Sequence, residues 1–367
     1  MRRKEGWQIG AVEVIDVPES FGKIFKLTDV TLTCPKKDAE TVHIKGKQYI
    51  AWSFYYIWHY MYDVLVQYFY LKKHIKDLNF WTFIPHELED GTKEDFFRQL
   101  KRIAFHNKSD KDLDPYPHKY FEDIINIIAT QDYFYTTNNH NLIFDEVYLC
   151  FDANKVWTTD PKMRSTGRQW FGVNNTYWFP ENWEEKAHRY RVVFNETWWR
   201  DIGMLEMKKL FLEKIKDYPT DTPKKLFISR KDSLARHSLL ADKTAARRHP
   251  MALEETVEKC FVDAGYTLVT LEGMGYLEQI NLFRNATHIS GVVGSGFCQT
   301  FMCGPNVIVA PIYVNNNYDF SYDFIAKNMG AKLVQIDIRP IMGNKQKIEE
   351  CLNKHINYMD MFIESVR

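Results

Sequence analysis

Leu226-Phe227-Ile228-Ser229-Arg230-Lys231 reads as a short apolar strand that ends in polar and basic residues. Further along, Ala286-Thr287-His288-Ile289-Ser290-Gly291-Val292-Val293-Gly294-Ser295-Gly296-Phe297 reads as another strand, running into a glycine-rich turn. Between them lie a helical run from Leu253 to Ala264, a strand from Tyr266 to Leu271 and a helix from Tyr276 to Asn285. A helix-length stretch follows the turn, and then the strand Asn306 to Ile312. Strands alternating with helices of this length predict a parallel sheet covered by helices. In such sheets ligands sit at the carboxyl ends of the strands, where Arg230 and the glycine turn both fall. The stretch from Lys224 to Ile312 therefore reads as one nucleotide-binding half-domain.

Working outward, Pro219-Thr220-Asp221-Thr222-Pro223 carries the composition of a linker. It divides the 367 residues into two domains of ordinary size. The expected boundaries are 1–218, 219–343 and a final amphipathic helix in 344–367. Upstream, Val12 to Val17, Ile24 to Leu32 and Thr41 to Ile44 alternate apolar and polar residues as strands do. Residues 52–76 are helical and aromatic nearly all round, as a buried helix is. Helices are expected at Lys93–Phe105, Tyr120–Ala129 and Thr197–Tyr218, and strands ending near Ile84 and spanning Asp145–Phe151. The aromatic, proline-containing stretch from Lys155 to Phe194 receives no assignment.

The global composition excludes several classes. Lys+Arg and Asp+Glu both number 48, so no polyelectrolyte signature points to nucleic acid, and any anion site is local. Aromatic residues make up 15%, which suits cores and sugar-stacking clefts alike. Cys34, Cys150, Cys260, Cys298, Cys303 and Cys351 are scattered without a CxxC, as free thiols in a reducing compartment would be. The start, Met1-Arg2-Arg3-Lys4-Glu5-Gly6, lacks the apolar run of a signal peptide, and the most apolar segment, Tyr49 to Tyr70, contains His59, Asp63 and Gln67. The sequons at Asn107, Asn174, Asn195 and Asn285 carry little weight in that setting, and the expected location is cytoplasmic.

Several residues are candidates for chemistry. His59 and Asp63 are four apart, on one helix face, where a carboxylate can orient an imidazole and raise its basicity. The same spacing also suits a satisfied core pair. Asp110-Lys111-Asp112 has the Asp-x-Asp form that holds a divalent cation in some sugar transferases. Its neighbours, His106-Asn107-Lys108 before and Pro115 after, read instead as a solvated loop. Gly294-Ser295-Gly296 follows an apolar strand and precedes a helix, so its amides can meet a phosphate. It is not the dinucleotide fingerprint, because position 299 is Gln. Arg230, at a neighbouring strand end, can reach the same crevice and neutralise a pyrophosphate. Ser229 stands beside it, and Arg247 and Arg248 lie on a loop with His249. Glu278 and Gln279 open a helix, where Glu278 either accepts from ribose hydroxyls or supplies N-terminal helix charge.

Taken together, these residues resemble the pattern of glycosyltransferase family 61. The elements of that pattern are Ser229-Arg230, the Arg247/Arg248 loop, the acidic helix with Glu254-Glu255, the pair Glu278-Gln279, Ala286 before a strand, and Val293-Gly294-Ser295-Gly296-Phe297. An aromatic helix with His59 and Asp63 corresponds to the family's N-terminal signature. The resemblance covers roughly residues 50–312. It departs where the family's turn has His, here Val293, and where the turn's Leu is Phe297.

The resemblance implies a GT-B fold, two Rossmann-like domains facing across a cleft with the final helix returning to the first. It implies an inverting transferase that needs no metal or other cofactor. The donor would be a nucleotide sugar such as UDP-xylose or UDP-N-acetylglucosamine, the partner a glycan acceptor, and the setting a bacterial-type or viral-type pathway building a surface or capsular polysaccharide. His59, oriented by Asp63, would be the base, with Asp63 itself as the alternative. Ser229, Arg230, Arg247, Glu278, Gln279, Gly294, Ser295 and Gly296 would hold the nucleotide. The rival readings are an epimerase, which would need a dinucleotide fingerprint, and a non-catalytic glycan- or nucleotide-binding protein, for which Val293 would be the mark of decay.

Overall fold

In a computed structural model of the chain, described residues are 7–8, 10–17, 22–34, 36, 38–52, 60–83, 88, 90–104, 119–129, 131, 133–135, 139–150, 198–232, 234, 250–314, 322, 326 and 329–366. The chain is mixed α/β and divides into two compact units, Met1–Lys209 and Leu210–Arg367, each built on one sheet. Among the described residues no helix is long and apolar enough to cross a membrane.

The first unit contains β1 (Trp7–Gln8), β2 (Ala11–Val17), β3 (Gly22–Leu32), β4 (Glu40–Trp52), β5 (Asn79–Phe83) and β6 (His140–Cys150) in the order β1-β3-β6-β4-β5, with β2 also on β3. β1, β2 and β6 run antiparallel to β3, whereas β4 is parallel to both β6 and β5. The parallel, Rossmann-like sheet expected for this half is thus corrected to a mixed one. The cause is legible in β2 and β3: two consecutive alternating strands joined by a short connection pair antiparallel, because a parallel return needs a long crossover. The pairing of β4 with β6 shifts register between Ile44 and Lys47, where Gly46 adopts a left-handed φ of 82°.

One face of the sheet buries Leu27, Val30, Ile44, Ile50, Trp81, Leu142, Phe144 and Val147. The aromatic segment expected to be a buried helix is a π-helical turn, Tyr60–Leu65, leading into α1 (Val66–His74). Val66 to Leu71 are buried without a break, and burial pushes the Tyr68 phenol up to about 12. α2 (Lys93–Ala104) and α3 (Lys119–Ile128) fall within a residue of expectation. α4 (Trp198–Lys214) ends earlier than expected. A Cβ on its Gly203 would lie 2.0 Å from the Val66 carbonyl oxygen, so only glycine permits this approach. β5 is completed by a side chain: the buried Gln131 amide accepts from Thr82 N–H at 2.8 Å and donates to Thr82 C=O at 2.9 Å. The amide thereby supplies the ladder bonds of a missing neighbour.

The second unit holds an all-parallel sheet of β7 (Lys225–Ile228), β8 (Thr267–Val269), β9 (His288–Val292), β10 (Ile308–Tyr313), β11 (Lys332–Leu333) and β12 (Ile336–Asp337). Its order is β11-β10-β9-β7-β8, with β12 also on β10. β9 and β10 are buried at every residue, and β10 is a continuous apolar run, as suits a parallel strand covered on both faces, while β9 also buries His288 and Ser290. The helices are α5 (Met251–Asp263), α6 (Tyr276–Phe283) and α7 (Lys345–Val366). The apolar face of α7 (Ile348, Leu352, Ile356, Met359, Ile363) packs into the core formed by Phe227, Val257, Phe261 and Ile312. That corrects its expected return to the first half. The stretch Pro219–Pro223 is also not a free linker. Asn281 of α6 and Arg284 just after it donate to the Pro219 carbonyl at 3.1 Å each, and Asn285 donates to the Thr220 carbonyl at 3.0 Å.

Candidate functional site

In the strand order of the second unit, β8 and β9 flank β7, so the chain leaves β7 toward one edge and returns on its other side. Ligand crevices form at this reversal, because the loops from adjacent strand ends diverge to opposite faces. The loop after β7 carries Ser229-Arg230-Lys231, and the loop after β9 carries Val293-Gly294-Ser295-Gly296. The two are in contact: the Arg230 guanidinium donates to the Val293 carbonyl at 2.9 Å. A Cβ on Gly294 would lie 3.4 Å from an Arg230 terminal nitrogen.

The turn itself is an extended Gly294 followed by a 3₁₀ helix, Ser295–Met302, in place of the α-helix expected there. Phe297 and Cys298 anchor it in the core. Ser295 is exposed at the lip, between half-buried Gly294 and Gly296. A Cβ on Gly296 would come within 2.9 Å of Ile228 and 3.4 Å of Leu271, so the glycine lets the turn lie on the β7 tip. A Cβ on Gly291 would meet the Ile228 carbonyl oxygen at 2.8 Å. At position 293 it is the main-chain carbonyl that faces Arg230, while the valine side chain is buried. Burial of the Cys298 thiol pushes its pKa well up, so it stays protonated as a core residue.

What holds Arg230 in place was not visible in the sequence. Glu254 and Glu258, one turn apart on α5, are 0% and 2% exposed. Glu254 accepts from the Arg230 main-chain N–H at 2.8 Å. Glu258 accepts from the Ser229 hydroxyl and pairs with the Lys231 ammonium at 2.5 Å. Ser229 N–H also donates to the Val269 carbonyl of β8 at 3.0 Å. Two buried carboxylates thus clamp the β7 loop, a second layer that preorganises the basic group they flank. Burial lowers the Arg230 pKa, opposed by the charges of Glu254, Tyr322 and Glu272. A guanidinium remains charged through such a shift. The sequence marked Glu254 only as part of an acidic helix. The i, i+4 spacing of Glu254 and Glu258, in phase with Val257 and Phe261, is the signal that both face inward.

The remaining candidates divide. Glu278 caps its own helix: its carboxylate accepts from the Gly275 N–H at 2.9 Å, which is the helix-charge reading. Gln279 is buried and its amide is used within the fold. It donates to the Leu271 and Met274 carbonyls at 3.0 Å each and accepts from Gln299. Gln299, the residue standing where a third glycine would be, is therefore the link between the turn and the loop after β8. Tyr322 was missed as well. Its hydroxyl accepts from Gly294 N–H at 3.2 Å and donates to the Gly294 carbonyl at 3.3 Å, and its ring meets Phe297 edge-on at 5.4 Å. His59, Arg247, Arg248 and Asp110-Lys111-Asp112 lie outside the described residues. Asp63 falls within the π-helical turn before α1.

Chemically, the loops after β7 and β9 offer the Arg230 guanidinium, a run of turn amides and the exposed Ser295 at the carboxyl edge of a parallel sheet. That set suits an anionic, phosphate-bearing ligand. Residues 57–310 match the family model described as Glycosyltransferase 61. No curated protein matches the chain.

Proposed function

Because the chain belongs to glycosyltransferase family 61, and is a glycosyltransferase, we propose that it is an inverting, metal-independent enzyme that moves a sugar from a nucleotide donor to a glycan hydroxyl. UDP-xylose and UDP-N-acetylglucosamine are the favoured donors. The observation that carries the reading is Arg230, clamped from behind by Glu254 and directed at the Val293-Gly294 peptide. A charge fixed at that strand end supports a departing diphosphate without a cation, since a preorganised donor needs little reorganisation as charge develops. The amides of Gly294, Ser295 and Gly296 would share that charge, and Arg247 would add to it.

Inversion takes one displacement. The acceptor oxygen bonds to the anomeric carbon, the bond from that carbon to the diphosphate oxygen breaks with its electron pair, and the acceptor proton goes to a base. His59 oriented by Asp63 is assigned that role, with Asp63 as the alternative. Glu278 and Gln279 would line the nucleotide side indirectly, through the loop they cap and brace. A GT-B arrangement of the two units and a cytoplasmic setting belong to the same proposal.

The test is the melting temperature of the protein with UDP, GDP, CMP and UDP-sugars, each in EDTA and in manganese. Ligand well above its Kd stabilises by about 2–4 kcal/mol, which moves the melting point by degrees. A shift with one nucleotide in EDTA is expected. A shift that appears only with manganese overturns metal independence and returns attention to Asp110 and Asp112. No shift with any nucleotide overturns the nucleotide-sugar reading.

A further inference from the structure

The Gly294 amide, which the reading above gives to the diphosphate, already has an acceptor within the chain. The Tyr322 oxygen stands 3.2 Å from Gly294 N, and the same hydroxyl donates to the Gly294 carbonyl at 3.3 Å. Arg230 borders the same spot: it donates to the preceding carbonyl, and a Cβ on Gly294 would lie 3.4 Å from its terminal nitrogen. The ring is held edge-on against Phe297, which is buried in the turn. The phenol oxygen therefore sits where an oxygen accepting from this amide must sit, beside the cation that would attract it.

We propose that Tyr322 is an affinity-setting residue of the donor site, whose hydroxyl a diphosphate oxygen must displace from Gly294. The exchange is favourable because an anionic oxygen is the stronger acceptor for an amide, roughly twice as strong as a neutral one. It is also costly, because the bond to the phenol is lost first. Tyr322 thus weakens nucleotide binding, and so speeds release of the nucleoside diphosphate product. This inference rests on the reading of Arg230 and Gly294 as the diphosphate site. It differs in sign from an ordinary contact residue, whose removal would weaken binding.

Tyr322→Phe removes the oxygen and keeps the ring against Phe297. The Kd values of UDP and of inorganic pyrophosphate would be measured by calorimetry in EDTA for wild type, Tyr322→Phe and Arg230→Ala. One net hydrogen bond, about 1 kcal/mol, corresponds to tightening by about fivefold in Tyr322→Phe for both probes. Unchanged or weaker binding in that variant, with wild-type binding that depends on Arg230, overturns the role of Tyr322 alone. Wild-type protein that binds neither probe, or binds both regardless of Arg230, removes the underlying site and the inference with it. The melting temperature of the unliganded variant confirms that the comparison is between folded proteins.

Discussion

The two sheets differ in what their ends can do. In the second unit every strand points the same way, so all the carboxyl ends gather at one edge, and the order reverses between β8, β7 and β9. Basic and glycine residues placed after two neighbouring strands converge there without any long-range design. In the first unit β3 alone runs against the others: β1, β2 and β6 oppose it, and β4 and β5 run parallel with β6, so the shared direction is broken between β6 and β2. Its interior is closed by devices of another kind: Gly203 under a carbonyl and an amide side chain completing β5. The second sheet thus gathers every carboxyl end at one edge, whereas in the first β3 interrupts that shared direction.

The sharpest way to break that contrast is Arg230→Ala. A preorganised donor facing a leaving group contributes about 10²–10³-fold in rate, so transfer should fall by that order. The measurement is nucleotide release from the donor selected by the binding panel, in the presence of acceptor. The clamp residues Glu254 and Glu258 remain in place in the variant. If it turns over near the wild-type rate, the parallel edge is not where the leaving group is held.

Close glycine contacts provide a paired test between the units. Gly203→Ala places a carbon 2.0 Å from the Val66 oxygen, main chain against main chain, with nothing flexible to yield. It should cost about 3 kcal/mol or more. Gly291→Ala meets the Ile228 oxygen at 2.8 Å and should cost less, about 1–3 kcal/mol. Hydrogen exchange separates them. Gly203→Ala should lose protection in α1 while nucleotide still protects the β7 and β9 ends. Gly291→Ala should show the reverse. Equal loss across both units in either variant would mean that the two do not behave as separate compact bodies.

The same contrast explains what the sequence disclosed. The order of elements from Lys225 to Tyr313 was readable because short, mostly apolar strands alternate there with helices that have their own period. Arg230 and Gly294 were readable because a strand end is a position in the sequence. In the first sheet the antiparallel pairing of β2 with β3 was legible in their short connection, but β6, a further antiparallel partner of β3, lies more than a hundred residues away and its direction is not written in local alternation. The final helix was misplaced for a related reason. Its apolar stripe at Ile348, Leu352, Ile356 and Met359 states that it packs, but not on which core. Glu258, Gln299 and Tyr322 were missed because their meaning is a partner distant in sequence: Ser229, Gln279 and Gly294 respectively.

Gln299 gives the smallest effect and the most specific one. Its amide donates to the Gln279 oxygen, and Gln279 donates in turn to the Leu271 and Met274 carbonyls, so two loops at the parallel edge share one buried amide pair. Gln299→Leu keeps the volume but leaves the Gln279 oxygen without that donor in a dry site, which costs about 1–3 kcal/mol. If the pair serves only stability, donor KM and kcat should stay as they are once the variant is folded. If it sets the turn against the loop after β8, KM for the donor should rise severalfold with kcat little changed, because the turn amides contact the ligand in ground state and transition state alike. Pairing Gln299→Leu with Gln279→Leu should then cost less than the two single changes added together, since each already breaks the shared bond. Additive losses in both stability and KM would show that the two amides act on the edge independently.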